Sequence, residues 1–204
     1  MQSHHIRKLN IGCGENLLEE WLNTDLIPDS RVIFLDASRP LPFADSTFNY
    51  VFSEHMVEHI DYQNARKLFR EVYRILRTGG KFRVATPDLH FLIKLYSEKS
   101  CIYSDYISWM SEKWLQDFDF ETDSVVINHV MHGFGHRFIY DFKLLKMVLE
   151  KVGFSDITRH SPGESNDEHL KNVEGHGKIV PSKFNDLETM VVECSKAGPK
   201  VNMA

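Results

Sequence analysis

Three stretches hold the side chains best suited to chemistry. His55-Met56-Val57-Glu58-His59 reads H-x-x-E-H. On a helix that spacing presents two imidazoles on one face, where they ligate zinc, with the carboxylate beside them as a base. Asn128 to Tyr140 contains His129, His132 and His136 at spacings of three and four, interrupted by Gly133 and Gly135. Read as function, this segment is a substrate lid with glycine hinges. His132 would take a proton, and His136 and Arg137 would bind substrate, Arg137 as a clamp on an anionic group. Read as structure, it is a packed loop with partly buried imidazoles. Gly12-Cys13-Gly14 follows the apolar run Leu9-Asn10-Ile11. A strand that runs into glycines lets backbone approach a ligand closely.

The elements that must position these groups alternate. Lys8–Ile11, Trp21–Leu26, Arg31–Leu35 and Phe48–Ser53 read as strands. Asp61 to Arg77 is the clearest helix, with Ala65, Leu68, Phe69, Val72, Ile75 and Leu76 on one face, Asp61 as N-cap and Gly79-Gly80 as its stop. Lys81–Thr86 is a fifth strand, and Asp88 to about Ser100 is helical. Residues 101–139 are rich in aromatics and histidines without a clean period, and read as a helical insertion or lid. Asp141 caps a helix over Phe142–Lys151 stopped by Gly153; Phe154–His160 and Leu187–Cys194 are strands, and 161–185 is a long polar loop. The H-x-x-E-H run leaves a strand end before the Asp61 cap, so its zinc reading lacks the required helix and no metal is expected.

This alternation predicts an α/β fold, a Rossmann-like doubly wound, mainly parallel sheet of seven strands in a single domain over 1–204. In such sheets ligands sit beyond the C-terminal strand ends. Gly12, Asp25, Asp36 and Ser53 all fall there.

A dinucleotide would need G-x-G-x-x-G opening a helix. Here Leu17 stands in the third glycine position, and Glu15 repels phosphate. A cationic sulfonium, as in S-adenosylmethionine, meets neither objection. Asp25 can accept ribose hydroxyls and Asp36 an adenine amine.

Composition narrows the classes. The 204 residues are 42% hydrophobic and 26% charged with a net charge of −5, which gives no electrostatic case for nucleic acid or an anionic membrane. No apolar run approaches a membrane span, and MQSHHIRK lacks the apolar core of a secretion signal. Three dispersed cysteines suit a reducing, cytoplasmic setting.

LNIGCG, LPFADSTFNYVFSEHMVEHI and RILRTGGKFRVATPD, in this order between Leu9 and Asp88, resemble class I S-adenosylmethionine-dependent methyltransferases of the type 11 kind. The C-terminal half, with GHRFIY, GESND and LETMVVE, is similar to small predicted methyltransferases, some among polysaccharide-biosynthesis functions. The resemblance implies that Gly12, Cys13 and Gly14 lie against the methionine part of the cofactor. Asn10 stands where the family usually has an acid and keeps an acceptor for the amino group. Asp25 would hold the ribose with Leu26 beside the adenine, and Asp36 and Ala37 the adenine edge. Ser53 and Glu54 would lie under the sulfonium, with His55 facing the transfer zone. Only nine residues separate Ile11 from Trp21, so the first helix is at most one or two turns and the pocket more open than usual.

The expected function is methyl transfer from S-adenosylmethionine, leaving S-adenosylhomocysteine, to a small or saccharide-like acceptor, at oxygen, with His55 or His132 accepting the proton. A monomer or homodimer is expected, with no nucleic-acid or membrane partner. The alternatives are a non-catalytic binding module on the same fold and a metal hydrolase.

Overall fold

The computed structural model describes residues 7–198; most of the N-terminal stretch read for a secretion signal lies outside them. Seven strands form one sheet: β1 (Lys8–Ile11), β2 (Leu22–Asp25), β3 (Ile33–Phe34), β4 (Phe48–Glu54), β5 (Leu76–Pro87), β6 (Phe154–His160) and β7 (Thr189–Lys196). Their order is β3-β2-β1-β4-β5-β7-β6, with β7 antiparallel to both neighbours and every other pairing parallel. The expected fold class is therefore the observed one.

The two faces of this sheet are covered differently. On one face Leu9, Ile11, Val51, Phe82, Val84 and Val192 join the main core beneath α1 (Tyr62–Ile75) and α5 (Phe142–Val152). Asp61 and Asp141 cap these helices through Asn64 N and Leu144 N, as expected. The predicted stripe on α1 is fully buried, and α5 ends on Gly153 at φ 118°.

The opposite face carries Asn10, Tyr50, Lys81, Arg83 and Glu193, and a loop covers it. Asp167 takes Lys81 Nζ at 2.9 Å and Tyr50 Oη at 3.1 Å. Arg83, fully buried, pairs with Glu174 from the loop and Glu193 from β7, and donates to Glu164 O at 2.8 Å. Parallel strands are usually apolar on both faces. Here side chains alternate along β5 because one face meets helices and the other meets a polar loop.

Four boundaries differ from expectation. Residues 12–21 contain no helix at all. β3 is two residues long, an exposed edge strand. The α1 helix does not run to the glycines: Leu76 turns extended and pairs with Phe48, so β5 begins at once and Gly79, at φ 76°, lies in its irregular first part. Residues 161–185 are not all loop, since α6 (Ser182–Glu188) precedes β7 and takes up Leu187.

The insertion folds as α3 (Cys101–Trp114), α4 (Asp123–Asn128) and a π-helical turn, 129–133. With α2 (Leu89–Ser97) and α6 it closes a second apolar cluster around Phe91, Tyr106, Met110, Val126 and Phe184. No described helix is long and apolar enough to cross a membrane.

Removing one partner of a buried ion pair leaves an uncompensated charge. Arg83→Ala would strand both Glu174 and Glu193, and should lower unfolding free energy by about 3–5 kcal/mol in urea titrations. A loss under about 1 kcal/mol would show that the loop is not anchored there.

Candidate active site

Gly12, at the end of β1, has φ 68°, and a Cβ there would stand 2.3 Å from the Met56 side chain. The N–H groups of Gly12 and Cys13 donate to Thr24 O at 2.8 and 3.0 Å, and Gly14 N donates to Asp25 Oδ2 at 2.9 Å. With its amides turned to β2, the turn offers none of these donors to a phosphate.

The expected cofactor residues fall into two groups. Gly14, Asp25, Leu26 and Asp36 lie along an open sheet edge, where Leu26 is exposed. Asp25 also accepts from Ile27 N, while Asp36 accepts from Ser38 N and Oγ. Those Ser38 bonds, helped by Arg39, hold the Asp36 carboxyl below its usual range. The others are turned inward. Asn10 is buried and donates to Asn16 O and Asn23 Oδ1, pinning the 12–21 loop. Cys13, Ala37 and Ser53 are buried. Burial, with Asp25 nearby, pushes the Cys13 thiol up.

Glu54 is held by the chain itself. Its carboxylate accepts from Gly175 N at 2.8 Å, His176 N at 2.9 Å and Asn16 Nδ2 at 3.0 Å. Gly175 has no room for a side chain, because a Cβ would lie 2.5 Å from Asn16. A strap over residues 173–178 thus joins the glycine turn to the end of β4.

Beyond that strap lies a cavity of about 310 Å³. Phe91, Tyr106, Trp109, Trp114 and Phe134 form aromatic walls, and the polar lining is His55, His59, His136, His176, Asp88 and Glu188. His176 Nε2 is 2.9 Å from Glu188 Oε1, and Tyr106 donates to the other Glu188 oxygen. Burial and the Glu188 charge push the Tyr106 phenol well up, so it stays a donor. His55 stacks on His176 with ring centres 3.8 Å apart. Its Nε2 lies 3.1 Å from Thr189 Oγ1 and its Nδ1 3.2 Å from Glu58 Oε1. Burial alone would lower the His55 pKa, but the carboxylates of Glu58, Glu188 and Glu54 together outweigh it and the group is raised.

Of the expected substrate groups, His55 and His136 reach this cavity. His132 and Arg137 are exposed and absent from its lining, because the π-helical turn carries His132 outward and Arg137 lies toward Asp61. His176, Glu188 and Asp88 were not singled out from the sequence. Residues 161–185 read only as a long polar loop, and the antiparallel β7 return brings them over the strand ends.

A model described as a methyltransferase domain matches residues 35–84. Phosphoethanolamine N-methyltransferase 2 of Caenorhabditis elegans is 32% identical over 81 residues, 39% of this chain; the chain spans only 17% of that protein's length. A S-adenosylmethionine-dependent methyltransferase structure from Archaeoglobus fulgidus superposes with a TM-score of 0.55 at 18% identity, covering 94% of this chain and 86% of that one. Haemonchus contortus phosphoethanolamine N-methyltransferase 2, bound to phosphomonomethylethanolamine and S-adenosylhomocysteine, gives 0.52 at 16%, over 95% of this chain and 49% of that one.

Charge-assisted hydrogen bonds contribute roughly 1.5–3 kcal/mol each. Glu54→Ala should therefore speed amide exchange at Gly175 and His176 by about tenfold or more, with the core unchanged. Unaltered protection at both amides would mean that the strap is held by other contacts. The strand order, the helix-covered face and the matched segment agree with the expected resemblance: the chain has the class I S-adenosylmethionine-dependent methyltransferase fold, with a methyltransferase-domain segment at residues 35–84.

Proposed function

We propose that this protein transfers the methyl group of S-adenosylmethionine to a small amine held in the aromatic cavity. One observation carries the reading: glycine and aspartate positions at the ends of β1, β2 and β3 sit on the same sheet edge as an aromatic pocket beside the end of β4. The cofactor's adenosine would lie along Asp25, Leu26 and Asp36, and its methionine part against Gly12 and Gly14. A glycine turn with satisfied amides suits a sulfonium better than a pyrophosphate.

An amine acceptor is favoured over the hydroxyl expected from sequence on two grounds. The segment similar to a phosphoethanolamine N-methyltransferase lends weight to nitrogen. The cavity also sets aromatic faces beside the Glu188 carboxylate, a combination that attracts a cationic headgroup, while Asp88 is already paired with Arg159. An ammonium must lose a proton before its lone pair can attack the methyl carbon. His176 takes that role: Nε2 faces Glu188, which would steady the imidazolium, and Nδ1 makes no hydrogen bond among the described residues. His55 has both nitrogens facing protein groups, so it positions His176 by stacking. When bound, S-adenosylmethionine would supply the methyl to that nitrogen, its sulfur keeping the bonding pair as S-adenosylhomocysteine departs. Alignment of the two reactants supplies most of the remaining acceleration.

Methyl-labelled S-adenosylmethionine offered with a panel of small amines, phosphorylated amino alcohols and free saccharides tests this. Label should move to an amine, and His176→Ala should slow transfer by about 10²–10⁴ with a rise in the pH needed for half-maximal rate. Transfer to saccharide hydroxyls alone would replace the amine reading. Binding of the cofactor without transfer to any acceptor would favour the non-catalytic module.

A further inference from the structure

We propose that Glu58, His59 and His136 form a binding site for a divalent first-row transition-metal ion in the wall of the aromatic cavity. Their ligand atoms lie within 4.8 Å of one another. Bonds of about 2.0–2.2 Å would draw neighbouring ligands to roughly 3.4 Å apart. His59 is exposed and makes no side-chain hydrogen bond among the described residues, and binding would turn its ring, now edge-on to His136, toward the ion.

Three further observations point to an ion. The Glu58 side chain is fully buried, yet its Oε1 has no hydrogen-bond partner. His55 Nδ1 is 3.2 Å away but off the line a hydrogen bond requires. The other oxygen, Oε2, accepts from Thr86 Oγ1 at 2.9 Å, which fixes the carboxylate's orientation. The nearest charge to Oε1 is the His55 ring, which makes no aligned hydrogen bond to it, so a lone pair stays open for a metal ion.

His136 is set up as a ligand in the way metal-bound imidazoles usually are. Its Nδ1 faces the carbonyl of Val130, so Nδ1 carries the proton and Nε2 keeps the lone pair.

The cluster is also held together by the backbone. Arg137 N and Phe138 N both donate to Glu58 O, at 2.7 and 3.2 Å, which fixes His136 beside a residue far away in sequence. This is not the H-x-x-E-H zinc motif. Val57–His59 is a 3-10 turn, not an α-helix, and His55 is drawn off toward Thr189 and His176. The third ligand comes from the insertion instead.

Two imidazoles and one carboxylate suit zinc or iron(II) over magnesium or calcium. His59 and His136 line the cavity, so the ion's remaining positions would face it and take an oxygen of the bound molecule. The site stands whether or not the cavity serves methyl transfer.

The test uses the full chain, dialysed against chelator and titrated calorimetrically with Zn²⁺. About one equivalent should bind with a micromolar or tighter constant, and His59→Ala and His136→Ala should each weaken it by about tenfold or more. Glu58→Gln should do the same, with circular dichroism confirming the fold. His132→Ala, an exposed ring outside the cluster, should leave affinity unchanged. Co²⁺-loaded protein should show visible bands of a nitrogen-ligated ion that the same variants lose. No bound equivalent, or one that survives both His59→Ala and His136→Ala, overturns the proposal.

Discussion

The Arg83 guanidinium is fully buried and has to be answered by carboxylates, and much of the structure follows from that demand. One answer, Glu193, comes from β7 beside it; the other, Glu174, must come from the chain between β6 and β7. Drawing Glu174 onto β5 lays the whole loop across the polar face of the sheet, with Asp167 on Lys81 and Tyr50. It also delivers the next two residues, Gly175 and His176, to the Glu54 carboxylate at the end of β4. His176 thereby becomes a wall of the aromatic cavity, stacked on His55. A single buried cation thus links the covering of one sheet face to the completion of the site.

The missing cover explains the unusual edge. Without helices between β1 and β2 or over β3, the side chains of Leu26, Ile27, Ile33 and Phe34 stay exposed. The 12–21 loop is instead fixed by polar contacts, Asn10 to Asn16 and Asn23, and Asn16 to Glu54. Acid and amide pairing does here what helix packing does on the other face. The same economy appears in the glycine turn, whose amides are spent on Thr24 and Asp25.

Local signals in the sequence were readable where one short stretch sufficed. Asp61 and Asp141 behave as N-caps, Gly153 stops α5, and the apolar stripe of α1 points into the core. Lys81–Thr86 was readable as a strand, and its alternation Lys81-Phe82-Arg83-Val84 matches the polar face the structure shows. Readings failed where partners distant in sequence decide the outcome. Gly79-Gly80 did not end the helix, because pairing of Leu76 with Phe48 starts the strand first. His132 fell outside the cavity because a π-helical turn, invisible in periodicity, rotated it away. His176 and Glu188 carried no local pattern at all; their importance comes from the antiparallel return of β7. Glu58, His59 and His136 likewise meet only because Arg137 and Phe138 pair with the Glu58 carbonyl.

The fold and the matched segment make S-adenosylmethionine chemistry the natural use of this sheet edge, and the open pocket is where that reading is most exposed. Calorimetric titration of the full chain with S-adenosylhomocysteine, beside an Asp25→Ala variant, tests it most directly. Micromolar binding that the variant loses would place the ribose at β2 and confirm the cofactor's position. A folded, ligand-free protein that binds no S-adenosylhomocysteine would contradict it, leaving the fold in place and removing the methyl donor.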